Sequence, residues 1–564
     1  MPEIDRPFLP PGPGSWELDA THMNRPLSRW FAEVFPPAFV GGFQYGTARY
    51  GVLLDHLEPG MVNRFIYHCP RPVGAPKGAK GPPPKLIFKI LSKLHPEMRR
   101  RIKQSAITFE RKLWREDLAR WDNEVKPAIA KENSALQAID PRSLSDAALI
   151  DHLEACRAAV ERGVRYHHEF NITAMLPVGD LLVQAMAWTG LPAGQILELM
   201  RGASPVSLGA ADELEAVVRE IRPSNDLRRL LREADPARAL ETLTSRQDAV
   251  GEATRKYIAK VGIRVATGYD VADMTLGEMP DLIVKTIRAE VEREDAVATG
   301  DEAFQSALSR VRERVPEQHR VQFDQLLEEA RFTYRIRDER GYLNDAWSTG
   351  IARRALLAAG ERLRAKGKLL DASHAFELTP KEVGDLLAGR PGPTAEEVAE
   401  HAAYRAGHTT NDAPRFLGNP PQPPPPAEWL PPAAARMSRI VGIVLGEMFA
   451  VKETVKEGRV ITGYGASPGQ FAGTARLVLQ PADMAKVRGG DILVTRSTAP
   501  SYNGLLPLLR GIVTDRGGTL SHAALVAREY GIPAVVGCGN ATERIADGAQ
   551  IRIDGATGSV EILS

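Results

Sequence analysis

Nine of the twenty residues from 413 to 432 (APRFLGNPPQPPPPAEWLPP) are proline. Each proline removes a backbone N–H and fixes φ, so such a run opposes a central strand or a helix interior and favours extended polyproline II geometry. The run divides the chain. It reads either as a surface loop or as a semi-rigid arm, which at about 3.1 Å per residue would reach roughly 60 Å.

Before the prolines, residues 91–410 carry helical periodicity. Leu94, Met98, Ile102, Phe109 and Leu113 recur at steps of three, four or seven. Leu149, Leu153, Cys156, Val160 and Val164 form a second stripe behind a capping Ser145. Thr379, Pro380 and Glu382 supply a capping box with proline in the first helical position. No repeat of fixed period marks a solenoid. Residues 1–90, rich in glycine, proline and aromatics, read as an irregular N-terminal part of the same domain. Beyond 458 the pattern changes. Short apolar runs at 475–479, 491–495, 511–515, 534–537 and 551–553 read as strands, with one helix at 522–530. The expected architecture is multidomain: a large, mostly α-helical domain (1–90 and 91–410), a proline-rich linker and hinge (411–458), and a small α/β domain (459–564).

Composition narrows the class. A chain of 564 residues exceeds one core. Its 72 basic and 71 acidic residues leave a net charge of +1, which argues against a dedicated nucleic-acid binder or a polybasic membrane anchor. Three scattered cysteines make neither a disulfide framework nor a thiolate metal site. No apolar run of about 18–20 residues stands out, and the polar N-terminus has no signal segment. The expectation is a soluble, cytoplasmic protein with neither nucleic-acid nor membrane partners.

The chemically informative segment is 511–537, GIVTDRGGTLSHAALVAREYGIPAVVG. A strand enters Asp515, then Gly517 and Gly518, which let the chain turn sharply and let another group approach. Thr519, Leu520 and the N-cap candidate Ser521 follow, and His522 opens the helix. A helix N-terminus offers unpaired N–H groups and a positive dipole end, suited to phosphate. There the imidazolium is disfavoured, and the neutral ring keeps a lone pair for attack on phosphorus.

Thr495, Thr498 and Pro500, then Gly517, Gly518, Ser521, His522, Ala523, Ala524, Ala527, Arg528, Glu529 and Gly531 to Val535, resemble the phosphohistidine swivelling domain of phosphoenolpyruvate-utilising enzymes. This group includes pyruvate phosphate dikinase, phosphoenolpyruvate synthase and rifampicin phosphotransferase. Ala466, Ser467, Pro468, Gly469, Gly473 and Ala475 fit its first strands. The resemblance implies that His522 is the residue phosphorylated, with Gly517, Gly518, Thr519, Ser521 and Arg528 around the phosphate. Trp16 to Asp19 with His22, Arg25 and Pro26, the block around Gly262, Ile263, Arg264 and Asp270, and the block Arg337 to Glu339 are similar to the central domain of rifampicin phosphotransferase. That enzyme carries a histidine where this chain has Ile263.

No ATP-grasp pattern precedes the helical region, and 42 residues after His522 are too few for a phosphoenolpyruvate barrel. The layout resembles the split phenylphosphate synthase. The resemblance implies a dikinase-type phosphotransferase subunit. A separate ATP-grasp partner, holding Mg2+ and ATP, would phosphorylate His522, with AMP and phosphate as co-products. The phosphate would then pass to a small hydroxylated, phenol-like acceptor, and this chain itself would bind no cofactor tightly. The alternative is a phosphohistidine carrier or regulatory module that passes phosphate to a protein.

An acceptor site needs positive charge and a base for the hydroxyl proton. His167 extends the 149–164 stripe and should point inward, either as a hydrogen-bonded core histidine or at an acceptor site; His168 lies about 100° round the helix. Arg337 continues the stripe Phe323, Leu327, Ala330, Tyr334. It is either catalytic or a structural salt bridge, for which Asp270 is one partner. His22 and Arg264 join the candidates through the resemblance. The run Arg99, Arg100, Arg101 reads as a solvated helix face. No histidine spacing suggests a metal.

Overall fold

The computed structural model describes residues 6–204, 211–292, 300–452, 458–498, 502 and 504–563. Pro500 of the swivelling-domain motif lies outside them. Contacts divide the chain into two compact units: Met1–Leu176 with Tyr269–Asp273 and Arg340–Val441, and Pro177–Gly268 with Met274–Glu339 and Gly442–Ser564. The helical stretch 91–410 is therefore not one body. Apolar periodicity reports which face of a helix is buried; it does not report which helices share a core.

In the first unit an antiparallel sheet runs in the order β2 (Leu54–Val62), β3 (Phe65–Pro72), β1 (Ser15–Leu18), β4 (Phe416–Gly418). Trp16, Leu18, Phe65, Tyr67 and Leu417 form its core. Residues 1–90 are not irregular, because they also hold the 22-residue helix Arg29–Tyr50. Pro36 and Pro37 lie inside that helix, and glycines lie on its packing face, so its apolar periodicity is broken. A Cβ at Gly42 would lie 2.2 Å from the carbonyl oxygen of Arg165 on the helix Asp146–Glu169, an approach only glycine permits.

The proline segment also departs from expectation. Leu417 pairs with Trp16 as part of an edge strand, the one place in a sheet where neighbouring prolines are tolerated. Trp429 and Leu430 pack on Val73, Phe88 and Met98. Pro432 opens the helix Pro432–Phe449, at a position whose N–H would be unpaired in any case. Both flanks of the run are thus held, by β4 on one side and by the helix Pro432–Phe449 on the other, while residues 420–426 between them take no regular secondary structure.

The helices from Asp146 to Thr189 form the one stretch among the described residues long and apolar enough to cross a membrane, contrary to the reading of the sequence. Two thirds of its most apolar window (67%) is buried in the protein, as in a core helix. Arg101 is likewise not solvated: it is 2% exposed and donates to the Val52 carbonyl at 3.1 Å and to Asp55 at 2.9 Å.

In the second unit eight strands form one sheet. They are β5 (Val460–Thr462), β6 (Tyr464–Ser467), β7 (Gln470–Leu477), β8 (Ile492–Thr495), β9 (Gly511–Thr514), β10 (Ala534–Val536), β11 (Gln550–Asp554) and β12 (Ser559–Ile562). Their order is β5-β12-β11-β7-β8-β9-β10-β6, with β7, β8, β9 and β10 parallel to one another. Ile492, Val494, Val513, Val535, Ile551 and Ile553 fill the core. The helix His522–Tyr530 makes the crossover from β9 to the parallel β10. A large helical region followed by a small α/β domain is therefore the observed architecture.

Candidate functional site

The crossover puts His522 just beyond the carboxyl end of β9, where ligands bind in open α/β sheets. Ser521 caps the helix, its hydroxyl accepting from Ala524 N at 3.4 Å, and Gly531 closes it with φ 63°. Gly517 adopts φ 96°, which an L side chain rarely tolerates, and so turns the chain into the cap.

Thr498 Oγ1 lies 3.0 Å from Nδ1 of His522. Burial, with the Arg337 guanidinium as the second cause, pushes the imidazole down to about 3, so the ring is neutral at ordinary pH. Arg337, from the helix Ile336–Arg340 of the same unit, donates to the Leu520 carbonyl at 2.5 Å. Arg528 is 3% exposed and donates to the carbonyl oxygens of Ala466 (2.8 Å) and Thr519. Three buried donor atoms in this neighbourhood have no hydrogen-bond partner among the described residues: Nη1 of Arg337, Nη1 of Arg528 and the hydroxyl of Tyr334. Tyr334 interacts electrostatically with both arginines. Buried donors without acceptors are costly, and a tetrahedral oxyanion is the kind of group that would satisfy them.

The glycine pair serves a different neighbour in this arrangement. Gly518 N donates to the Met448 carbonyl (3.1 Å), Leu520 N to the Glu447 carbonyl (2.9 Å), and the Thr519 hydroxyl to the Glu447 carboxylate (2.5 Å). A Cβ at Gly518 would lie 2.3 Å from the Glu447 carbonyl oxygen. The Gly518 and Leu520 N–H groups and the Thr519 hydroxyl are therefore committed to the end of the helix Pro432–Phe449, not open to phosphate.

The remaining candidates separate. Arg264 is buried in the loop after the helix Ala249–Val261 of the second unit. Asp270 is no partner for Arg337: its carboxylate accepts from Ser28 N (2.8 Å) and Ser28 Oγ (2.6 Å) inside the first unit. His22, His167 and His168 belong to a cluster in the first unit that also includes Asp19, His68 and Asp345. Asp19 accepts from His22 at 3.0 Å and from His68 at 3.3 Å. Burial opposes the His22 imidazolium, but Asp19 beside it leaves the ring raised above 6.5. His167 Nδ1 lies 2.6 Å from Asp345, whose carboxyl burial pushes up to about 8. Burial holds His168 well below the ordinary range; its ring lies 4.4 Å from that of Phe39, in the row Phe35, Phe39, Phe43. Asp345 sits in a π-helical turn, Gly341–Trp347, a distortion often found at functional sites.

Sequence reasoning missed Tyr334, Glu447 and Asp345 as site residues and used Thr498 only as part of a motif. Tyr334 was visible as a member of the stripe leading to Arg337. Asp345 gave no signal, because the π-turn that carries it breaks helical spacing. Among the described residues, no group of three or more His, Cys, Asp or Glu side chains could hold a metal ion.

Residues 487–558 match the family "PEP-utilising enzyme, mobile domain", and residues 170–338 match "Rifampicin phosphotransferase fourth domain". An uncharacterized phosphotransferase, YvkC, of Bacillus subtilis is 33% identical over 43% of this chain and 28% of its own length. A rifampicin phosphotransferase of Streptomyces sviceus is 36% identical over 38% of this chain and 22% of its own. A phosphoenolpyruvate synthase of Aeropyrum pernix is 45% identical over 19% of this chain and 14% of its own. The chain spans less than a third of the length of each of these relatives. Its residues 487–558 are thus similar to the mobile domain of the phosphoenolpyruvate-utilising enzymes, and its residues 170–338 to the fourth domain of rifampicin phosphotransferase.

Proposed function

We propose that this chain is a phosphotransferase subunit that carries phosphate on His522 between an ATP-grasp partner and a small hydroxylated acceptor. The observation that carries the reading is the neutral His522 beside buried donors that lack an acceptor. With the Thr498 hydroxyl accepting a hydrogen bond from Nδ1–H, Nε2 keeps its lone pair and attacks a phosphorus of the donor, whose P–O bond breaks and leaves its electron pair on the departing oxygen. In the second half-reaction the acceptor oxygen attacks the same phosphorus. The P–N bond breaks, its electron pair returns to the ring, and the hydroxyl proton goes to a base. Arg337, Arg528 and Tyr334 would hold the phosphoryl oxygens. Mg2+ and ATP would sit on the partner, with AMP and phosphate as co-products.

On the acceptor side, the Asp19–His22 pair of the first unit is the candidate base. Asp19 raises its imidazole and so makes it a stronger base for the hydroxyl proton. The row Phe35, Phe39, Phe43 supports an aromatic, phenol-like acceptor.

Phosphoramidate, a chemical phosphoryl donor, tests the carrier without the partner. One acid-labile phosphate should appear on the full chain by phosphorus NMR, and none on His522→Ala. Adding phenol to the labelled chain should then yield phenyl phosphate. Label persisting on His522→Ala would overturn the assignment.

A further inference from the structure

Residues 73–96 contain five lysines (Lys77, Lys80, Lys85, Lys89, Lys93) and no acidic residue, in a chain whose total charge is only +1. The balanced total conceals this local charge. Within the segment, the helix Lys85–Leu94 seats Phe88 and Leu91 on the first unit, against Val73, Met98, Trp429 and Leu430. Its other apolar side chains remain in solvent: Leu86 is 72% exposed, Ile87 48%, Ile90 47% and Leu94 72%.

At about 100° per residue these four side chains fall on one stripe of the helix, and Lys85, Lys89 and Lys93 run along its edge. The Ser92 hydroxyl turns back to the Lys89 carbonyl at 2.9 Å. The outer face thus presents aliphatic carbon and ammonium groups. Arg99 and Lys103, exposed on the following helix Pro96–Arg111, extend the positive charge. Single exposed aliphatics need no explanation; four in one stripe do.

The chemistry of the face identifies what it meets. Protein interfaces concentrate aromatic side chains, methionine and arginine, and are poor in lysine. This stripe has the opposite composition. It matches a helix lying in a bilayer surface, with aliphatics in the acyl boundary and lysines beside them at the level of anionic headgroups. We propose that the helix Lys85–Leu94 is a reversible docking site for an anionic phospholipid surface. The proposal is independent of the chemistry at His522.

The test uses the full chain with vesicles of phosphatidylcholine alone and of phosphatidylcholine mixed with phosphatidylglycerol. Co-sedimentation should occur with the anionic vesicles only and weaken as salt rises. L86S/I90S/L94S and K85Q/K89Q/K93Q should each reduce partitioning at least tenfold. All six side chains are exposed, so an unchanged melting curve and His522 phosphorylation by phosphoramidate would confirm intact variants. Equal binding to neutral vesicles, or wild-type binding by either variant, overturns the proposal. So does a concentration-dependent dimer that the aliphatic variant alone dissociates, because the stripe would then be covered by a second copy.

Discussion

The hydroxyl of Thr498 and Nδ1 of His522 lie 3.0 Å apart, on the side of the ring opposite the nitrogen proposed to carry phosphate. A hydroxyl there fixes the ring's orientation and can hold its proton on Nδ1. Thr498→Val should remove one net hydrogen bond, worth about 1 kcal/mol. The rate of His522 phosphorylation by phosphoramidate should fall roughly fivefold. Thr498→Ser should restore it. Equal rates for all three chains would remove Thr498 from the mechanism.

His522 should not protonate as the pH falls through 6.5, because its folded value lies near 3. The unfolded chain binds the extra proton across that interval, so the second unit should lose stability as the pH falls from 6.5 towards 3. Arg337→Gln removes the lesser of the two causes and should move the His522 transition upward. Histidine resonances followed by NMR through an acid titration read both effects.

Asp345 runs the other way. Its carboxyl is raised from 3.8 to about 8 by burial, with Arg340 and His22 only partly opposing. The folded state therefore holds a proton that the unfolded state has released. This stabilisation is complete below 3.8 and is lost as the pH rises through 8. Asp345→Asn should flatten that part of the melting-temperature profile while leaving the acid side unchanged.

Gly42→Ala tests the helix crossing in the first unit. The new methyl would meet the Arg165 carbonyl oxygen at 2.2 Å, and neither backbone can yield cheaply. A loss of about 2–3 kcal/mol is expected in urea unfolding, typical of overpacking. Gly41→Ala, with open space around its Cβ position, is the matched control.

How far the fold could be read from the chain depended on how local each signal was. The helix His522–Tyr530 and its Ser521 cap were legible to the residue, as was the Thr379 capping box, since caps and glycines act over a few positions. The strands β5 and β12 were missed, being three or four residues long and without clear alternation. The division of 91–410 between two units was invisible, because it depends on contacts between distant segments. At the site, His522, Ser521, Arg528 and Arg337 were legible. Glu447 was not: its part depends on the end of one helix meeting a loop some seventy residues later in the chain.

That meeting bears on any travel by the histidine domain. Lys452 N donates to the Gly537 carbonyl, and with the Gly518, Thr519 and Leu520 contacts to Glu447 and Met448 it latches the end of the helix Pro432–Phe449 to the sheet that carries His522. Ten residues separate Phe449 from Val460, the first residue of β5. Fully stretched at about 3.5 Å each, they span roughly 35 Å. Once unlatched, the sheet is on a leash of that length, and a longer excursion must be drawn from the helix itself, by unwinding its last turns. If His522 carries phosphate as proposed, the distance its domain can travel is tied to the helical stability of residues 432–449, and a sequence change there would alter that distance without touching His522 itself.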